Sequence, residues 1–198
     1  LTINDYGPDV FLSYILDFME EQQDTSFFVY YPMVLVHEPF VPTPDSEEWQ
    51  DPERRYEKDT AYFRDMMTYT DMIVGRIADK VNELGIGNRT ILIFTADNGT
   101  DVHITTRTIN GLVQGGKGST LGRGVHVPLI IQAGFMEERG IVYRELIEFS
   151  DFFATLADLT GAEVDHDGRS FLGLLRDEPI DRRETAFVHY DPHWGRFQ

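Results

Sequence analysis

The most regular stretch of the chain runs from Asp59 to Leu84, where Tyr62, Met66, Thr70, Ile73, Ile77, Val81 and Leu84 recur every three or four residues. That spacing lays one apolar stripe along a helix, and Gly85 stands where a helix stops in the left-handed conformation. Residues 8–23 predict a second helix. Pro8 suits its first turn, Val10, Phe11, Tyr14, Ile15 and Phe18 share a face, and Glu20 to Asp24 form a polar exit. A third helix is predicted over 148–160, with Ser150 as N-cap, Phe152, Phe153, Leu156 and Leu159 as its apolar face and Gly161 as its stop. Between the helices lie apolar runs of strand length: Phe27 to Tyr31, Ile91 to Phe94, Val127 to Gln132 and Thr185 to Tyr190. Pro32 and Pro128 fall where a ladder tolerates proline. Helices and strands alternate along the chain, so the expected fold class is α/β, a mostly parallel sheet with helices on both faces.

Two segments break this rhythm. Five of the nine prolines lie between Pro32 and Pro52, interleaved with Asp45, Glu47, Glu48 and Asp51, which predicts an irregular surface segment. The second is the polar, glycine-rich stretch between Asp97 and Val127. Further on, Asp165-His166-Asp167-Gly168 reads as an acidic turn before a short helix, Ser170 to Leu175, and a new unit is expected from Pro179.

Composition narrows the function. With 198 residues and 41% hydrophobic content the chain is long and apolar enough for a real core. Its apolar runs are too short to span a bilayer. The net charge of −17 argues against nucleic acid as a partner. The absence of cysteine removes disulfides, thiolate metal sites and a cysteine nucleophile. Neither a basic start nor an apolar leader opens the chain, and it does not begin with Met, so it is expected to be a fragment or a processed product. Asn88-Arg89-Thr90 has the glycosylation pattern.

Candidate chemistry centres on Ile91 to Pro128. Ligands in open α/β sheets sit beyond the carboxyl ends of strands, where Asp97-Asn98-Gly99 falls. Two adjacent oxygen donors suit a hard cation such as Ca²⁺ or Mg²⁺; the same tripeptide is also ordinary turn chemistry. Lys117, in Gly115-Gly116-Lys117-Gly118-Ser119, is one of only three lysines. It fits either an anion clamp beside an acidic metal site or a solvated loop lysine. His37 lies just past a predicted strand, where an imidazole is as often structural as catalytic.

These pieces in order resemble the later part of the sulfatase family, within the alkaline-phosphatase-like superfamily. They are His37-Glu38-Pro39-Phe40, Asp71 to Arg76, Thr90 to Gly99, Gly116-Lys117-Gly118, Gly124 to Pro128 and Asp167-Gly168-Arg169-Ser170. The likeness spans about residues 6–176. It departs from the family in Gly122-Arg123-Gly124-Val125-His126-Val127-Pro128, where the usual acid is missing and His126 replaces an arginine.

The resemblance implies hydrolysis of a sulfate ester, small-molecule or glycan. It implies Ca²⁺ partly held by Asp97 and Asn98, sulfate bound by Lys117, and His37 on the leaving oxygen, with both of the latter catalytic and substrate-binding. The family's formylglycine nucleophile comes from a Cys/Ser-x-Pro-x-Arg motif that this chain lacks, as it lacks the aspartate pair of the first strand. Residues 1–178 are therefore expected to be the later part of a catalytic domain, with 179–198 opening a small C-terminal subdomain, and the chain is expected to be inactive alone. The resemblance also implies a secreted, periplasmic or lysosomal location. Three alternatives stand beside it: a phosphonate or phosphodiester hydrolase of the same superfamily, a non-catalytic Ca²⁺-binding module, and a purely structural α/β domain. His166 is expected outside the site; His189 and His193 are read as structural, with a place on the substrate rim as the alternative.

Overall fold

The computed structural model describes residues 5–136 and 140–190. Its longest element, α2, spans Tyr62–Glu83 and buries Tyr62, Met66, Tyr69, Thr70, Ile73 and Val81, the face that the periodicity predicts. Asp71, on the opposite side, is exposed. Gly85 (φ 66°) terminates the helix: its N–H donates to Asn82 O, and Ile86 N–H donates to Val81 O. Val81 and Ile86 then pack together, the apolar contact that accompanies this end geometry.

Helix α1, Gly7–Glu21, lies along α2. Leu12, fully buried, meets Tyr69 and Ile73; Met19 meets Val81 and Ile86. A Lys80–Glu20 ion pair at 2.7 Å joins the same two helices at the surface. The expected apolar face of α1 is out of phase. Phe11, Tyr14 and Phe18 are exposed, while Leu12 and Met19 face α2. The helix is apolar on two sides, so periodicity alone does not choose between them. The same rotation affects α4, Phe149–Thr160, which buries Asp151, Ala154, Thr155 and Ala157 and leaves Phe153 exposed. Its N-cap is Glu148 and not Ser150: the Asp151 carboxylate accepts from Glu148 N–H at 2.8 Å. Gly161 (φ 70°) ends it as expected.

The proline-rich segment is partly buried, against expectation. Phe40, Pro42, Thr43 and Ser46 are inside. Ser46 explains why backbone can lie there: its hydroxyl accepts from Thr43 N–H at 3.0 Å and donates to Asp65 on α2 at 2.6 Å. Phe40 joins Tyr62, Met66 and Ile104 in a small core, with Leu35, Val36 and Phe63 against it.

Strands form where the apolar runs sit, but their pairing differs from the expected sheet. β1 (Ile91–Thr95) pairs antiparallel with β4 (Leu129–Ala133), Ile93 opposite Ile131. Between them β2 (Thr105–Thr108) and β3 (Gly111–Gln114) make an antiparallel hairpin where a loop was expected. A four-residue helix, α3 (Gly122–Val125), leads into β4. Both ladders among the described residues are antiparallel, so the expected mostly parallel sheet is not formed within them. Phe27 to Tyr31 forms no strand and joins no ladder among the described residues, and Phe28 and Tyr30 are exposed. Thr185 to Tyr190 likewise forms no strand; near it, Arg183 makes an isolated bridge to Leu146. His193 lies outside the described residues.

The Asp167–Ser170 turn is structural, as expected. Arg169 N–H donates to the Asp151 carboxylate at 2.7 Å. A side chain at Gly168 would come within 2.1 Å of Ser150 O, so only glycine lets this turn dock on α4. A short helix, α5 (Leu172–Leu175), follows. His166 Nδ1 lies 3.1 Å from Gly168 O, and its ring meets Phe153 edge-on.

Candidate active site

The site assembles from loops at the carboxyl end of β1. Asp97 and Asn98 follow β1 directly, Asp97 exposed and Asn98 half-buried. Gly99 N–H donates to Gly124 O at 2.9 Å, which pins the loop after β1 against α3. The approach requires glycine on both sides. A Cβ at Gly99 would lie 2.0 Å from Arg123 O, and one at Gly124 would lie 2.3 Å from Gly116 O. One residue past Gly99, the Thr100 carbonyl accepts from both Gly116 N–H and Lys117 N–H, each at 3.0 Å. The glycine-rich loop thus returns to β1's end, with Lys117 beside the Asp97-Asn98 loop.

His37 arrives from a different part of the chain. Its flanks rest on the small core, through Leu35, Val36 and Phe40, and the Glu38–Pro39 peptide is cis. The imidazole Nδ1 lies 2.7 Å from Glu38 O. A carbonyl only accepts, so Nδ1 carries the hydrogen and Nε2 faces outward as a lone pair in the neutral ring. Lys117 Nζ sits 2.9 Å from that Nε2 and donates to it. Two residues eighty positions apart therefore touch, both with a polar end toward the same space.

A second group completes the rim. Asp101 accepts from His103 N–H and from His103 Nδ1, each at 2.8 Å. Burial alone would raise the Asp101 carboxyl. The His103 hydrogen bonds and the nearby Lys117 charge outweigh it and hold the group below the ordinary carboxylate range. One ligand atom each from Glu38, Asp101 and His103 lie within 4.8 Å of one another, so these three form another place where a cation fits. Sequence reasoning passed over Asp101 and His103. Their signal was an Asp-x-His pair four residues after Asp97, inside the stretch read as a polar, glycine-rich loop.

The structure thus brings His37 and Lys117 into contact and sets Lys117's backbone against the loop that follows Asp97 and Asn98. As a test of the expected Ca²⁺, Asp97 and Asn98 are hard oxygen donors at a strand end and fit part of its shell. They are two of the roughly six to eight oxygens that the ion takes. The exposed His126, which takes the place of the family's usual arginine, is held through its backbone N–H to Gly122 O at 2.7 Å.

The Sulfatase family profile aligns with residues 3–162. Steryl-sulfatase of Mus musculus is 32% identical over 138 residues, covering 65% of this chain and 22% of that protein. Arylsulfatase A of Homo sapiens is 29% identical over 173 residues, covering 85% of this chain and 32% of that protein. A solved structure described under the metabolism of multiple glycosaminoglycans by Bacteroides thetaiotaomicron superposes with a TM-score of 0.62 at 23% identity, over 85% of this chain and 36% of that one. At that identity the likeness speaks for a shared α/β fold. The chain spans between 22% and 32% of the length of the two curated relatives named. With four-fifths of its length inside the profile, the chain belongs to the Sulfatase family.

Proposed function

We propose that this chain is the later part of the catalytic domain of a sulfuric ester hydrolase, residues 1–178, and that residues 179–198 open a small C-terminal subdomain. One contact carries the reading: Lys117 Nζ at 2.9 Å from His37 Nε2. An ammonium and an imidazole that meet over a strand end rich in oxygen donors make a receptor for a doubly bonded, singly charged sulfate ester. In a chain of net charge −17 such a local cation is needed before any anion can approach.

The roles follow from the atoms. Lys117 donates to the sulfate oxygens and steadies the charge that grows as the S–O bond breaks. His37, held through Nδ1 by Glu38 O, presents Nε2 on the side where the bridging oxygen would lie; the imidazolium form, with Nε2 protonated in place of the hydrogen bond from Lys117, would give that proton to the oxygen as the alcohol leaves and return to the neutral ring. Asp97 and Asn98 hold part of a Ca²⁺ ion, which when bound offsets the charge of the sulfate oxygens. The remaining ligands and the formylglycine nucleophile belong to the earlier half of a longer parent. In that parent Phe27 to Tyr31 and β1 would take their places in a larger, mostly parallel sheet. The exposed Phe28 and Tyr30 favour this, since they are apolar groups awaiting a cover. The same reading takes a glycan or small-molecule sulfate as substrate and a secreted, periplasmic or lysosomal location.

The test is hydrolysis of 4-nitrophenyl sulfate against 4-nitrophenyl phosphate by the full-length protein and by residues 1–198 alone. Turnover of the sulfate by the full-length protein only, with slower turnover of the phosphate, is expected. A preference for the phosphate, or robust sulfate turnover by the 198 residues alone, would overturn the reading.

A further inference from the structure

A groove of about 490 Å³ opens from the site between the start of α2 and β2. Phe63, Met67 and Ile104 give it an apolar wall, and Thr106, His103 and Arg64 give it polar edges. It is continuous with the candidate site through His103, which lines the groove and also bonds Asp101. Asp101 and Glu38 in turn connect it to Lys117 and His37. The floor is firm. Ile104 is buried in the core with Phe40, Tyr62 and Met66, and Phe63 packs edge-on to Phe40 with ring centroids 5.5 Å apart.

Arg64 is the informative residue. The exposed Arg64 side chain enters no ion pair or hydrogen bond among the described residues, although acids outnumber bases two to one in this chain. The one acid lining the groove, Asp59, is turned onto Ala61 N–H at 2.7 Å. An uncommitted guanidinium lining an apolar slot that His103 also lines matches an anion fixed to a flat ring.

We infer that this groove is the subsite for the leaving-group ring of the sulfate ester, and that Arg64 recognises a second acidic group, a carboxylate or a further sulfate, carried on that ring. This rests on the proposed sulfatase reading and extends it to the substrate class: ring-bearing esters with two anionic groups. Phe63, Met67 and Ile104 would lie against the ring, while Lys117 and His37 hold the ester that is cleaved.

The experiment compares two chromogenic esters, 4-nitrophenyl sulfate and its 3-carboxy derivative, with the full-length protein. For Arg64→Ala, KM for the carboxylated ester should rise about five- to tenfold, with KM for the plain ester changing less than about twofold. Arg64→Lys should restore part of the difference, since the charge returns without the planar fork. Equal effects on both esters, or none, with wild-type turnover intact, would overturn the subsite and leave the sulfatase reading standing. No turnover of either ester by the wild-type protein would overturn both.

Discussion

Consider removing the two ends of the Lys117–His37 contact, singly and together, in the full-length protein. Lys117 is half-buried, His37 is exposed, and their nitrogens are 2.9 Å apart. A hydrogen bond to a charged group contributes about 1.5–3 kcal/mol, so Lys117→Ala should lower kcat/KM for an aryl sulfate about ten- to 150-fold. His37→Ala removes the group placed for proton transfer, which contributes about 100- to 10,000-fold. Because both side chains would close on one anion, the losses should not multiply. The double variant should retain at least about fivefold more activity than the product of the single losses predicts. Inorganic sulfate, as a competitive inhibitor, should weaken in parallel with the Lys117→Ala loss. Neither side chain belongs to an apolar cluster, so melting temperature should hardly move. Losses that multiply to within about twofold would mean two independent sites and would refute a shared anion.

Three further outcomes follow from the geometry. Asp151 is 2% exposed and accepts from Glu148 N–H, Arg169 N–H and the Arg183 guanidinium, so Asp151→Ala should cost about 3–5 kcal/mol in urea unfolding. Burial would raise the Asp151 carboxyl, but the Arg183 hydrogen bond and the two N–H donors hold it below the ordinary carboxylate range. A lowered folded-state value gives stability that is fully present at neutral pH, so the advantage over Asp151→Asn should shrink as pH falls below about 4, which acid titration of the melting temperature reads. Gly124→Ala would set a Cβ 2.3 Å from Gly116 O, displacing the loop that carries Lys117; kcat/KM should drop roughly 100-fold while α2 and the helical signal in circular dichroism persist. Asp97→Ala should weaken Ca²⁺ binding by the full-length protein at least about 100-fold in calorimetry, and an unchanged affinity would remove Asp97 from the ion's shell.

What could be read before folding divides along a physical line. α2 was legible because its sequence is apolar on one face only, and that face is the one buried. β1 and β4 were legible as strands, but their antiparallel pairing was not, because direction is decided by partners far away in sequence. The β2–β3 hairpin carried a readable signal that went unused: Asn110-Gly111 between two short polar-apolar runs, with Gly111 at φ 112°. In the site, family pattern brought His37, Lys117, Asp97 and Asn98 together. Asp101 and His103 escaped because short-range pairs in a loop look alike whether or not a fold folds them back on a site.

The misjudged phase of α1 and α4 has a different origin, and it bears on function. Both helices are apolar on more than one side: Phe11 and Tyr14 are exposed where Leu12 is buried, and Phe149 and Phe153 are exposed where Ala154 and Ala157 are buried. A helix apolar around most of its circumference belongs inside a larger core. The larger side chains make the stronger pattern in the sequence, yet in α4 the smaller ones, Ala154 and Ala157, are buried. The large side chains are then fitted to a second layer. Phe28 and Tyr30 in the unpaired segment, and Ile130 on β4, expose apolar surface in the same way. Such surfaces on two helices, an unpaired segment and a strand are what a domain shows when one of its layers lies elsewhere. The proposed function divides in the same way, with Lys117 and His37 in contact here and Asp97 and Asn98 proposed as two of the several oxygens that a Ca²⁺ ion takes.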